Sequence, residues 1–244
     1  MLEATRKLFV AVMAGLGLAL AVSVANADPA SPADPASPSN PADTALTDAI
    51  HQLETEWAQI KFTMKQGSHE QLGRMDELGK KADALAAQYP DKPAALIWDG
   101  IILSERASME NEANGLVGQI KALGLAKQAK AVLEKAYAID PAALSAGAAT
   151  TLGVLYYRVP GFPIGFGDTK KARSLLEEAV NTAPGSLDAE YFYGDFLYTS
   201  KEFPQAVEVL QRALTIPQDT ERPLWDRNRR LVIEHLLKEI QTKG

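Results

Sequence analysis

Residues 188–217, DAEYFYGDFLYTSKEFPQAVEVLQRALTIP, decide the fold. Tyr193 and Gly194 stand together, with Glu190 four residues before the glycine and Leu197 three after it. Twelve residues beyond Gly194 comes Ala206, followed by Leu210, Ala213 and Pro217. Steps of three and four mark one face of a helix. The segment therefore reads as two helices joined by a short turn and stopped by a proline.

Working outward, the same layout returns twice. Around Gly153 it is Ala149, Leu152, Gly153, Tyr156, then Ala172, Leu176, Ala179 and Pro184. Around Gly100 it is Leu96, Gly100, Leu103, then Ala129, Leu133, Ala136 and Pro141. The distance from each Ala to its Pro is 12, 12 and 11 residues. This is the layout of a tetratricopeptide repeat. Two antiparallel helices approach closely only where small residues face each other, so each Gly is expected to sit against the Ala of its partner helix. The prolines stop second helices and start new units; Asp140-Pro141 reads as an N-cap followed by proline at the first helical position.

The units differ in their inner turn. Gly to Ala spans 12 residues in the last unit, 19 in the middle one and 29 in the first. The first unit's extra residues, within 105–125, keep a helical pattern (Ala107, Met109, Leu116, Ile120, Leu123), which lengthens both its helices. The middle unit's extra residues belong to YYRVPGFPIGFGDTKK, Tyr156 to Lys171. Pro160 and Pro163 forbid helix there, and Gly161, Gly165 and Gly167 add freedom. Phe162, Ile164 and Phe166 are apolar groups that a solvated connector does not need. Either this loop plugs the groove between units or seals a subunit contact, or it lines a site for a ligand or partner. Asp168, the natural N-cap of the next helix, puts a carboxylate on the free N–H groups and disfavours an anion there.

Residues 1–27 read as an export signal: Arg6 and Lys7, an apolar run from Leu8 to Val24, and Ala25-Asn26-Ala27 as the cleavage site. Cleavage near Ala27 would release a periplasmic protein that does not span the membrane. Residues 28–43, DPASPADPASPSNPAD, form an extended Pro/Ala/Ser-rich linker. The helical domain occupies 44–244, with a degenerate helix pair at 44–90, repeats at about 93–141, 142–184 and 187–217, and a cap helix at 221–241. The arginines of that last helix (Arg222, Arg227, Arg229, Arg230) read as its solvated face.

Composition narrows the function. The 244 residues contain no cysteine, three histidines and a formal charge of −6. Disulfides, thiolate metal sites, a Cys nucleophile and lipid attachment through Cys are excluded, and an acidic balance argues against nucleic acid. His51, His69 and His235 form no ligand-spaced pair, so no metal or cofactor is expected. Glu54/Glu56 and Glu177/Glu178 are neighbours that cannot face each other on a helix. No GxSxG, HExxH or Walker-type motif occurs, which points to a non-enzymatic protein.

Arg158, Pro160, Gly161, Phe162, Pro163, Phe166, Gly167, Asp168 and Ala172 spell R-x-P-G-F-P-x-x-F-G-D-x-x-x-A. With DAEYFYGDFL at 188–197 and Arg222-Pro223-Leu224, this resembles the T-component (TatT) family of TRAP-type transporters. The resemblance implies an all-α, tetratricopeptide-like right-handed helical solenoid with an irregular N-terminal helix pair and a C-terminal cap helix, assembling as a homotrimer. It further implies engagement of the periplasmic solute-binding receptor and of a small hydrophobic ligand. Well-described members are lipoproteins; without Cys this chain is expected to be free in the periplasm. The expected contact residues are Leu152, Tyr156, Tyr157, Arg158, Phe162 and Phe166, with Tyr191 and Tyr193 beside them. The alternative is a general periplasmic scaffold or chaperone-like protein binding extended peptides. Such clamps usually line the concave face with Lys, Arg and Asn, which are sparse at the inner-helix positions here.

Overall fold

A computed structural model describes residues 41–243; the export signal and all but the last three linker residues lie outside them. Among the described residues the chain is all helical: α1 (Pro41–Thr63), α2 (His69–Gln88), α3 (Pro93–Ala113), α4 (Gly115–Ile139), α5 (Ala143–Arg158), α6 (Thr169–Thr182), α7 (Leu187–Thr199), α8 (Phe203–Thr215) and α9 (Pro223–Lys243). The first helix begins at Pro41 rather than Thr44, because proline at the start of a helix gives up no hydrogen bond.

The odd-numbered helices form an inner layer. α1 touches α3, α3 touches α5, α5 touches α7, α7 touches α9, and α9 returns to α1. Each even-numbered helix packs outside, bridging the two inner helices on either side of it. This is a tetratricopeptide-like helical solenoid whose inner layer closes on itself. Arg222, just before α9, completes the circle with a 2.6 Å ion pair to Glu54 of α1 and stacks on Trp225. The interior is filled: Trp57, Trp98, Tyr191, Phe192 and Phe196 are all fully buried, and Trp57 and Trp98 meet edge-on across α1 and α3.

Within each repeat the nearest neighbour of the glycine is a leucine one turn beyond the expected alanine, and at Gly153 the Ala172 carbonyl stands there too, 3.4 Å from an added Cβ. A Cβ added at Gly100, Gly153 or Gly194 would lie 2.4, 2.6 or 2.6 Å from Leu133, Leu176 or Leu210, the leucine four residues after the conserved-spacing Ala. The glycine accommodates that leucine, while Ala129, Ala172 and Ala206 are fully buried beside it. Asp140-Pro141 does not start the next helix directly. Asp140 caps a tight turn by accepting from the Ala142 N–H, and the first turn of α5 is wound left-handed at Leu144, Ser145 and Ala146 (φ 48, 53 and 61°).

The arginines of α9 are not a solvated face; only Arg227 is exposed. Arg229 is buried, paired with Asp188 at 2.7 Å and stacked over Tyr191 and Phe192. Arg230 reaches the carbonyls of Leu214, Ile216 and Pro217, satisfying the end of α8 that would otherwise lack partners. Ion pairing and carbonyl capping outweigh the solvation that an arginine normally keeps.

Asp99 on α3 is buried, and its Oδ1 has no hydrogen-bond partner. Burial, then the nearby Asp83 charge, push its carboxyl up to about 6, with Arg106 opposing. A carboxyl raised in the folded state stabilises the fold in its protonated form. That contribution is complete below the unfolded value and is lost as pH rises through about 6. Asp99→Asn is therefore expected to gain up to about 3 kcal/mol near neutrality. The gain should vanish by about pH 4 in urea unfolding series; a gain independent of pH would contradict this origin.

Candidate interaction surface

The irregular stretch is shorter than its sequence suggests. Tyr156, Tyr157 and Arg158 form the last turn of α5, and only residues 159–168 leave helix. Pro160 forces just its predecessor, Val159, into extended geometry (φ −75°, ψ 139°), so the helix continues to Arg158. The loop is well tied down. The Gly167 N–H donates to Pro160 O at 2.9 Å and the Asp168 N–H to Tyr156 O at 2.8 Å, while Gly161 O accepts from Ile164 and Gly165. A Cβ at Gly167 would lie 1.9 Å from Val159 O, so the chain can cross itself only at glycine. Asp168 caps α6 by accepting from the Lys170 and Lys171 N–H groups.

Of the eight residues expected to form a contact surface, Phe162 alone is fully displayed, at 94% exposure. The others separate into two clusters and one outlier. Tyr156 and Phe166 meet edge-on at 5.6 Å, with Lys130 and Lys171 against their rings. The Tyr156 hydroxyl joins Glu134 and Lys171 at 3.2 and 2.7 Å. Although desolvation works against it, hydrogen bonding from Lys130 and that charge hold the Glu134 carboxyl below its ordinary range. This cluster fastens the loop to α4.

The second cluster is interior. Tyr157 and Arg158 both donate to Asp195 of α7, and Arg158 lies over the Tyr157 ring. Burial pushes the Tyr157 hydroxyl well above the usual phenol range, with the Arg158 charge opposing. Tyr191 is buried against Arg229, Leu152 is buried within α5, and Tyr193 stands apart, bonded to Glu177 at 3.1 Å. Leu152, Tyr156, Arg158 and Tyr191 therefore build the core on which the loop rests. Beneath the loop, Ser104, Ser108, Leu155, Arg158 and Val159 line a cavity of about 20 Å³, room for about one water.

The helical pattern read at 105–125 is borne out, and part of its apolar side faces outward. α3 runs thirteen residues past Gly100, whereas α5 and α7 run five past Gly153 and Gly194. At 1.5 Å per residue the α3–α4 hairpin thus projects about 12 Å further at its turn end. The 159–168 loop leans on its flank, where a Cβ added at Gly165 would lie 3.4 Å from Leu123. Beyond the loop's reach, Leu116, Val117 and Ile120 are 72, 75 and 70% exposed. With Phe162 and Ile164 they account for five of the seven large apolar side chains exposed among the described residues, so the exposed apolar surface is concentrated at one end. The missed signal was length: a hairpin longer than its neighbours has nothing to cover its apolar face.

Among the described residues no group of His, Cys, Asp and Glu side chains is arranged to hold a metal ion, and no helix is long and apolar enough to cross a membrane. No curated protein matches the chain. The family model described as tetratricopeptide repeat matches residues 164–226, from the second half of the loop through α6, α7 and α8 into α9. Over those residues the chain is similar in sequence to the tetratricopeptide repeat, and the paired helices there have the arrangement that the spacing predicts.

Proposed function

We propose that this chain is a non-enzymatic periplasmic component of TRAP-type solute uptake, released by cleavage near Ala27 and assembled as a homotrimer. It engages the transporter's solute receptor through the 159–168 loop. The observation that carries this reading is a loop held by its own backbone hydrogen bonds that nevertheless presents Phe162 to solvent. Holding a large apolar side chain in water is unfavourable unless something covers it. A rigid display also spares the ordering entropy that binding otherwise costs. The match to the motif RxPGFPxxFGD supports the family assignment, and the repeat similarity supports protein partners. A small hydrophobic ligand would have to enter beneath the loop with the loop displaced, since the cavity there is too small for one.

A peptide clamp along a concave face is less well supported, because the inner helices close into a filled circle. The test is native mass spectrometry of protein recovered from its own envelope, with a TRAP-type solute receptor purified from the same envelope as probe. Phe162→Ser is expected to weaken receptor binding at least about tenfold while leaving helicity unchanged. Undiminished binding by this variant, or a monomer that ignores the receptor, would refute the reading.

A further inference from the structure

The α3–α4 tip differs in chemistry from the loop beside it. Leu116, Val117 and Ile120 are aliphatic, convex and mounted on the first two turns of α4. At the tip α3 and α4 approach closely, an added Cβ at Gly118 lying 2.1 Å from Glu110 O. On the helix surface Leu116, Ile120 and Lys127 share one outward stripe, and Lys127 and Lys135 are exposed. α4 carries Lys121, Lys127, Lys130 and Lys135 against Glu134, on a chain whose formal charge is −6. Lys121 is paired with Glu110 and Lys130 with Glu134; Lys127 and Lys135 make no ion pair among the described residues. The tip carries acid as well: Glu110 accepts from Asn114 at 2.8 Å, and Glu112 is exposed two residues before that turn.

We propose that this tip rests in the interfacial layer of an anionic lipid bilayer. Aliphatic side chains ahead of a lysine-bearing flank match the two layers of such a surface, acyl chains below and phosphate headgroups above. Lysine suits this role because its long stem lies along apolar surface while its ammonium stays at headgroup level. Against an acidic average, the lysines of α4 place positive charge along the flank behind the tip. A protein partner usually reads its target through aromatic or arginine anchors and a rim of directed hydrogen bonds, and the tip offers neither. The inference goes beyond the receptor reading, which rests on Phe162, and neither depends on the other.

The test is flotation of the whole protein, purified from the envelope with its N-terminus read by mass spectrometry, the same in every variant. Phosphatidylethanolamine–phosphatidylglycerol vesicles are compared with phosphatidylcholine vesicles. The parent protein is expected to float with the anionic vesicles and not with the neutral ones. Leu116→Ser with Ile120→Ser should lower partitioning at least about tenfold. Lys127→Glu should lower it severalfold at low salt, a difference that closes near 0.5 M salt. All three side chains are exposed, so circular dichroism should be unchanged. Parent protein that ignores anionic vesicles, or tip variants that float as well as the parent, would overturn the proposal. So would tip variants that still float but no longer bind a protein, which would make the tip a protein contact. Loss of receptor binding in Phe162→Ser bears on the loop alone.

Discussion

Asp188→Leu is expected to lower the unfolding free energy by about 3–5 kcal/mol, a large part of what holds a domain of this size together. Asp188 stands in the first turn of α7 and meets Arg229 of α9 at 2.7 Å, both side chains only 1% exposed. The guanidinium is also stacked on Tyr191 and Phe192, at 4.2 and 4.9 Å. Removing the carboxylate leaves a cation among aromatic faces, and ring attraction worth about 2 kcal/mol does not repay its lost hydration. Arg229→Met alone should be costly for the converse reason, a carboxylate left in the interior. Combined, the two changes replace a buried pair with apolar volume and should recover most of the loss. Urea unfolding of the parent, both single variants and the double variant closes the cycle. Additive losses in the double variant would mean the two residues do not act as a pair.

Gly100→Ala is expected to destabilise by about 2 kcal/mol, against the usual direction of a glycine-to-alanine change within a helix. The new methyl would lie 2.4 Å from Leu133 Cγ and 2.6 Å from its Cδ2, and Leu133 is fully buried on a neighbouring helix with nowhere to turn. Gly73, also helical, has open space where its Cβ would be. There the same substitution should gain up to about 1 kcal/mol. Opposite shifts in melting temperature at the two glycines would establish that helix–helix approach, not helix propensity, sets the need for Gly100. Shifts of the same sign would sink the claim.

The fold was legible because repeats write their packing into spacing. Gly100, Gly153 and Gly194 and their downstream alanines announced paired helices before any coordinate. Which side chain fills the space left by a glycine was not legible, since register along two facing helices depends on their tilt. The glycines meet Leu133, Leu176 and Leu210, one turn beyond the alanines, and at Gly153 the expected Ala172 also lies against the added Cβ. Buried charge was equally hidden. Arg229 reads as solvated from its own helix, and only the closure of α9 onto α7 and α1 supplies Asp188 and the aromatic bed. At the candidate surface, proline and glycine marked the loop but overran it by three residues at each end, since 156–158 and 169–171 are helical. Aromatic composition did not separate Phe162, which faces water, from Tyr156 and Tyr191, which face the core. Exposure is a property of what lies alongside, and for Leu116, Val117 and Ile120 the decisive fact was what does not.

An open row of repeats has two ends, and each can fray without disturbing the middle. Here the Arg222–Glu54 contact joins the first inner helix to the last. Among the described residues neither end of the row stands free, so loss of α1 or α9 exposes the flank of the other as well as that of its neighbour in the row. Breaking Arg222–Glu54 should therefore loosen both ends of the row together, where in an open row each would loosen alone.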